Sequence, residues 1–130
     1  MTFDLVINGN QDDPEGNPIG YKRTLNHSWR ADSTKYHEWK EYVRAAFQRK
    51  YPTANNLKPH PIQVQKGDTI ATKIDVWWKD GKHADLDNVV KGILDSLIDN
   101  DKVVCEIHAQ SQMSDDKKGK VHITITMHKP

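Results

Sequence analysis

Asp85 and Asp87, followed by Asn88, Lys91 and then Asp101, form the set of side chains in this sequence best suited to chemistry. An Asp-x-Asp run with a trailing Asp offers hard oxygen ligands for divalent cations. Magnesium prefers a few carboxylates, with waters and substrate phosphates completing its shell, to an all-protein cage. Two such ions about 4 Å apart can clamp the attacking and leaving oxygens of a phosphodiester in line. A lysine beside them can neutralise phosphate charge. The chemistry these types and spacings allow is metal-assisted phosphoryl transfer or hydrolysis.

The same residues have a purely structural use. Asp85 suits a helix N-cap, and Asp87 in the first turn complements the positive end of the helix dipole. Asp87 and Lys91 are four apart and could form a surface pair worth roughly 0.3–0.5 kcal/mol, with Asp95 further along the same face. That use leaves Asn88 and the second acidic cluster, Asp99-Asn100-Asp101, without a purpose. A calcium loop fits worse. Its sixth position calls for Gly and its twelfth for an acid, and counting from Asp85 those places hold Val90 and Ser96.

Asp85-Leu86-Asp87-Asn88, then Lys91, Asp95 and Leu97, and finally Asp101 with Val103-Val104 and Glu106, resemble the signature of RusA-like Holliday junction resolvases. The likeness is specific over residues 84–106 and looser elsewhere, where an opening strand, a Gly and the basic Lys22-Arg23 are similar in kind to the family's N-terminal segment. The resemblance implies an endodeoxyribonuclease that resolves four-way DNA junctions. It implies Mg2+ as cofactor, with Mn2+ as a substitute, and no organic cofactor. Asp85, Asp87 and Asp101 would ligate the metal, and Lys91 would place positive charge at the scissile phosphate. Asn88 would orient the carboxylates rather than bind metal, and Lys22, Arg23 and Arg30 would hold the DNA backbone.

The elements that must position this set show in the periodicity. Phe3, Leu5 and Ile7 alternate with polar neighbours, predicting a strand ended by Asn8-Gly9. Residues 9–32 are rich in Gly, Pro, Asn and Asp and read as loop. Tyr36, Trp39, Tyr42, Val43, Ala46 and Phe47 predict an amphipathic helix capped near Asp32 or Ser33 and stopped by Tyr51-Pro52. Its aromatic stripe is expected in the core, while Trp29 is the better base-stacking candidate. A Pro-containing connector over 52–65 leads to a strand on Ile70, Ile74, Val76 and Trp78, turned at Asp80-Gly81. A second helix is expected from Leu86 to Ile98, weakened at Gly92 by about 1 kcal/mol relative to Ala, a glycine that would also permit close packing. Val103, Cys105, Ile107 and Ala109 suggest a third strand, and Val121, Ile123, Ile125 and Met127 a fourth. The order β-α-β-α-β-β predicts an α+β fold, a small mixed sheet with two helices on one face, in a single domain over residues 1–130.

At 130 residues, one domain of this size buries roughly two-thirds of its unfolded surface. Net charge is only +1, but its distribution is uneven: residues 22–50 hold eight Lys or Arg against three acids, and 85–106 six acids against two lysines. A basic stretch for phosphate and an acidic one for metal are thus separate, although a solvated helix face would give the first half of that pattern. No apolar run suits a membrane span or a secretory leader. The single Cys105 predicts a small buried hydrophobe in a reducing cytoplasm. No histidine makes a zinc spacing with it.

The rival readings are a non-catalytic DNA-binding protein whose acids cap and solubilise, and an Asp-x-Asp nucleotidyl- or glycosyltransferase. The second lacks a Gly-rich phosphate loop. Apolar residues make up only 35% of the chain, which leaves room for a shared core. A four-way junction is two-fold symmetric, so paired nicks call for a homodimer. A helix over 86–98 would span about 20 Å, separating Asp101 from Asp85. The favoured solution is that the helix stops early, near Gly92 or Leu94, and the return loop brings Asp101 home. The other is that a partner donates Asp101.

Overall fold

The computed structural model describes residues 1–21, 30–52 and 59–130, the side chains of 30–33 excepted. Among the described residues the chain forms β1 (Thr2–Asn8), α1 (Arg30–Lys50), β2 (Thr69–Trp78), α2 (Leu86–Leu97), a 3-10 turn at Asp101–Val103, β3 (Val104–Met113) and β4 (Lys120–His128). The four strands make one mixed sheet in the order β1-β4-β2-β3. β4 runs antiparallel to both its neighbours, and β2 lies parallel to β3. A parallel pair needs a crossover connection, and α2 supplies it. The result is the expected α+β layer, two helices on one face of a small sheet.

Period-two alternation puts Leu5, Ile7, Ile70, Ile74, Val76, Val121, Ile123 and Ile125 on the covered face, all buried. α1 contributes its stripe of Tyr36, Trp39, Val43 and Phe47 to that core. Phe47 packs on Phe3 with ring centroids 5.2 Å apart, and Tyr51 meets the same ring edge-on at 5.1 Å. The Tyr42 hydroxyl donates to the Asn8 carbonyl at 2.8 Å, and the Asp4 N–H donates to the Tyr51 hydroxyl at 2.9 Å. α1 thereby closes over β1.

α2 runs unbroken from Leu86 to Leu97, so it does not stop near Gly92 or Leu94 as expected. Gly92 is tolerated because a Cβ there would come within 3.1 Å of Tyr36 Cε1. Its bare backbone lets α1 approach, which offsets the propensity cost. The helix ends where Ile98 turns extended, held by backbone bonds from Ile62 N–H to Leu97 O (2.9 Å) and from Asp99 N–H to Ile62 O (3.2 Å). The Asn100 side chain then accepts from the Lys102 N–H, starting the 3-10 turn that feeds β3.

Cys105 is exposed, against expectation. The β2–β3 register slips between Ile70↔Val104 and Ala71↔Glu106, which leaves Cys105 as an extra residue on β3. Such a bulge inverts the phase of everything after it. Ile107, Ala109 and Met113 therefore share the helix-side face with Thr72, Ile74 and Trp78. α2 borders Ile107 and Ala109 only across a groove, and Ile107 and Met113 remain 51% and 53% exposed.

Candidate active site

The acidic run sits where β2 hands over to α2. Asp85 is the N-cap residue, with extended dihedrals and a backbone carbonyl that accepts from the Asn88 and Val89 N–H groups, both at 3.1 Å. Its carboxylate makes no capping hydrogen bond. The purely structural reading needed that bond. It also needed an Asp87–Lys91 pair, and the ion pairs among the described residues do not include it: they tie up Asp4, Asp13, Glu15, Glu41, Asp68, Asp95 and Glu106 instead. Lys91 points its ammonium at the Tyr21 ring, 4.0 Å from the centroid.

Asp87, Lys91 and Asp101 line one groove of about 430 Å³ between α2 and β3. Its other walls are Leu86, Val90, Leu94, Ile107 and Ala109, so the charged groups border an apolar floor. Asp101 enters through the 3-10 turn rather than through an early helix end, because the chain reverses after Ile98 and β3 runs back along α2. Asp85 is exposed at the helix start and is not in the groove wall. Asn88 takes part through its backbone, its carbonyl accepting from the Tyr21 N–H at 2.9 Å. Lys22 and Arg23 lie outside the described residues, as does Trp29. Arg30 begins α1, but its side chain is likewise outside the description.

The donor chemistry suits a hard cation: the three aspartates offer oxygens free of ion-pair partners among the described residues. No three His, Cys, Asp or Glu side chains among those residues gather into a cage. Magnesium fits the lesser demand of one or two carboxylates, since it keeps waters and takes substrate phosphate oxygens.

The loop of residues 9–21 fixes this corner, a role its composition hid. Gly9 N–H donates to Gly119 O and Gly119 N–H to Glu15 O, both at 2.8 Å. A Cβ on Gly119 would fall 2.1 Å from Gly16 O, so the two backbones touch there. The Asn17 side-chain oxygen Oδ1 accepts from the Lys79 N–H at 2.6 Å, while its side-chain amide donates to Asp80 Oδ1 and Lys82 O, each at 3.0 Å. Further along, Gly20 has no room for a side chain against Ala84, whose Cβ would be 2.6 Å away. Asp13 and Glu15 of the loop belong to this scaffold, Glu15 pairing with Lys118. Asp13 accepts from the Glu15 N–H and pairs with Lys79, which holds its carboxyl below the usual range. On the turn itself His83 stacks flat on Trp78, ring centroids 3.9 Å apart.

Behind the groove, the Tyr36 hydroxyl donates to Asp95 Oδ2 at 2.9 Å. Burial, and then the Asp95 carboxylate, push that hydroxyl well above the usual tyrosine range, so it remains a donor. Tyr21, Asn17 and the groove residues Ile107 and Ala109 carry no chemical motif. Their only trace in the sequence is an aromatic and an amide embedded in a Gly/Pro-rich stretch, and a continued apolar phase on β3.

The family description endodeoxyribonuclease RusA matches residues 14–126 of the chain. That span takes in the loop of residues 9–21 from Pro14, both helices and the whole acidic run. No curated protein matches the chain. Among the described residues, no helix is long and apolar enough to cross a membrane.

Proposed function

Because the chain belongs to the RusA endodeoxyribonuclease family, we propose that it is a magnesium-dependent nuclease that resolves four-way DNA junctions by paired symmetric nicks. The observation that carries the reading is the convergence of Asp87, Lys91 and Asp101 on one groove beside the helix cap Asp85. Asp87 and Asp101 from the groove wall, and Asp85 from the helix cap, would supply carboxylates to one or two ions whose other ligands are water and phosphate oxygens, and Mn2+ would replace Mg2+. The bound ion supplies charge neutralisation and activates water for attack on phosphorus. Lys91 places a positive charge beside the phosphate where negative charge builds during displacement. Asn88 anchors the first turn of α2 and so the spacing of Asp85 and Asp87.

Lys22, Arg23 and Arg30 would hold the DNA through phosphate contacts that position it without reading sequence. Binding should weaken steeply with salt, and replacing all three with Ala should flatten the log–log slope by roughly 0.9 per lost contact. Cleavage at two symmetric positions calls for two equivalent sites, hence a two-fold homodimer. The uncovered helix-side face of β3, with Ile107 and Met113 exposed, supports it by offering a second copy an apolar surface next to the groove. Two coupled α+β subunits processing DNA fit a cytoplasmic enzyme.

The test is a labelled synthetic four-way junction with and without Mg2+. Paired nicks by the wild type and none by Asp87→Asn, with junction binding retained or tightened, support the enzyme. Replacing a carboxylate by its amide removes charge that holds the cation and also charge that repels phosphate. Retardation without cleavage at any Mg2+ concentration would instead mark a DNA-binding protein whose acids are structural.

A further inference from the structure

We infer that Tyr21 is a positioning residue for the Lys91 ammonium, a role that rests on the nuclease reading and adds a residue to it. Lys91 is an exposed side chain on a flexible stem, and an ammonium of that kind samples many rotamers unless something selects one. The Tyr21 ring does: Lys91 Nζ lies 4.0 Å from its centroid, in the range where a ring face attracts a cation. Asp87, the anion one helical turn away, does not capture it. The lysine is therefore held by a neutral ring rather than by a carboxylate among the described residues.

Tyr21 is itself fixed at two points. Its backbone N–H donates to Asn88 O at 2.9 Å. Its edge meets Tyr36 at 5.3 Å and 82°, and Tyr36 is tied to Asp95 by its hydroxyl. Two glycines make the placement feasible. Gly20 brings the loop against Ala84 and Asn88, and a Cβ on Gly92 would lie 3.6 Å from the Tyr21 nitrogen. A half-buried tyrosine locked at this point has a fixed face toward one helix position, and that position is Lys91.

The contact and its consequence can be tested separately. In NMR spectra of the magnesium-free protein, the Lys91 Hε protons should be shifted upfield by the ring current, as they should in Tyr21→Phe, and return to the ordinary lysine position in Tyr21→Leu. Single-turnover cleavage of a four-way junction should fall about 10–100-fold in Tyr21→Leu, as expected for a displaced charged group, while junction affinity holds and Tyr21→Phe restores the rate. Tyr21→pentafluorophenylalanine keeps the ring's shape and reverses its quadrupole, so it should lose rate without losing fold even if the leucine variant misfolds. Lys91→Ala combined with Tyr21→Leu should cleave no more slowly than Lys91→Ala alone. An unshifted Hε, a wild-type rate in the fluorinated variant, or additive losses in the double variant would each overturn the positioning role. A wild type that never cleaves junctions would overturn the nuclease reading and the role with it, while a shifted Hε would still establish the contact.

Discussion

The two edges of the sheet carry the same alternating pattern and meet opposite fates. On β1, Leu5 and Ile7 are buried beneath α1, whose 21 residues reach past the strand so that Phe47 and Tyr51 close on Phe3. On β3 the corresponding phase, Ile107, Ala109 and Met113, is open, because the 12-residue α2 does not close on it and leaves a groove between them. Alternation tells which face a side chain takes. Whether anything lies over that face depends on how far a helix extends, and here the uncovered strip is the one beside the candidate site.

That contrast can be broken or sharpened by substitution. Phe47→Ala on the β1 side should cost about 3–5 kcal/mol in urea unfolding, the usual range for a fully buried aromatic; a loss under 1 kcal/mol would show that α1 does not seal this edge. Tyr51→Phe removes the hydroxyl that bridges to the Asp4 backbone and should cost about 0.5–1.5 kcal/mol by the same measurement. Ile107→Ala should change the stability of the isolated subunit by less than about 0.5 kcal/mol, yet raise the dimer dissociation constant measured by sedimentation. A large unfolding penalty there, with no change in association, would mean that the β3 face is covered within one subunit.

A control lies between the edges, where the Asp68 carboxyl accepts from the Gln65 N–H and pairs with Lys129 at 2.9 Å. Those two contacts hold its pKa below the usual carboxylate range. A folded-state value below the unfolded one gives stability that is present above the unfolded value and lost as pH falls through the folded one. Asp68→Asn should remove that part of the acid dependence in a pH series of thermal melts, and leave the response of both edges to Phe47→Ala and Ile107→Ala unchanged.

The sequence made the central pattern legible because its signals are local. The strand phases of β1, β2 and β4, the α1 stripe and the contiguous acidic run each depend on neighbours a few residues away. Asp101 lies with Asp87 on one groove by a route the sequence did not show: a helix stopping early near Gly92 or Leu94 was the expected way home, and the continuous α2 followed by a 3-10 turn is the observed one. Gly92 was read as a weak point that would also allow close packing, but which side chain uses the gap, Tyr36, is set by tertiary structure. Cys105 was misread for a related reason: a one-residue bulge is set by pairing with β2, and no local pattern announces it. Tyr21 and Asn17 were invisible because their partners, Lys91 and the turn over 79–82, lie more than sixty residues away.

The strand order has a consequence for the moment of birth. Among the described strands β4, which follows the other three, alone touches both β1 and β2, and it pairs Thr126 with Thr2 across 124 residues. Until residues 120–128 have been synthesised, β1 has no strand to pair with, and the β2–β3 pair lacks its other neighbour. Contacts so distant along the chain make folding slow. A nascent chain halted before Lys120 should therefore expose two unsatisfied strand edges and depend on chaperones, and release of the final strand should close the sheet in one step.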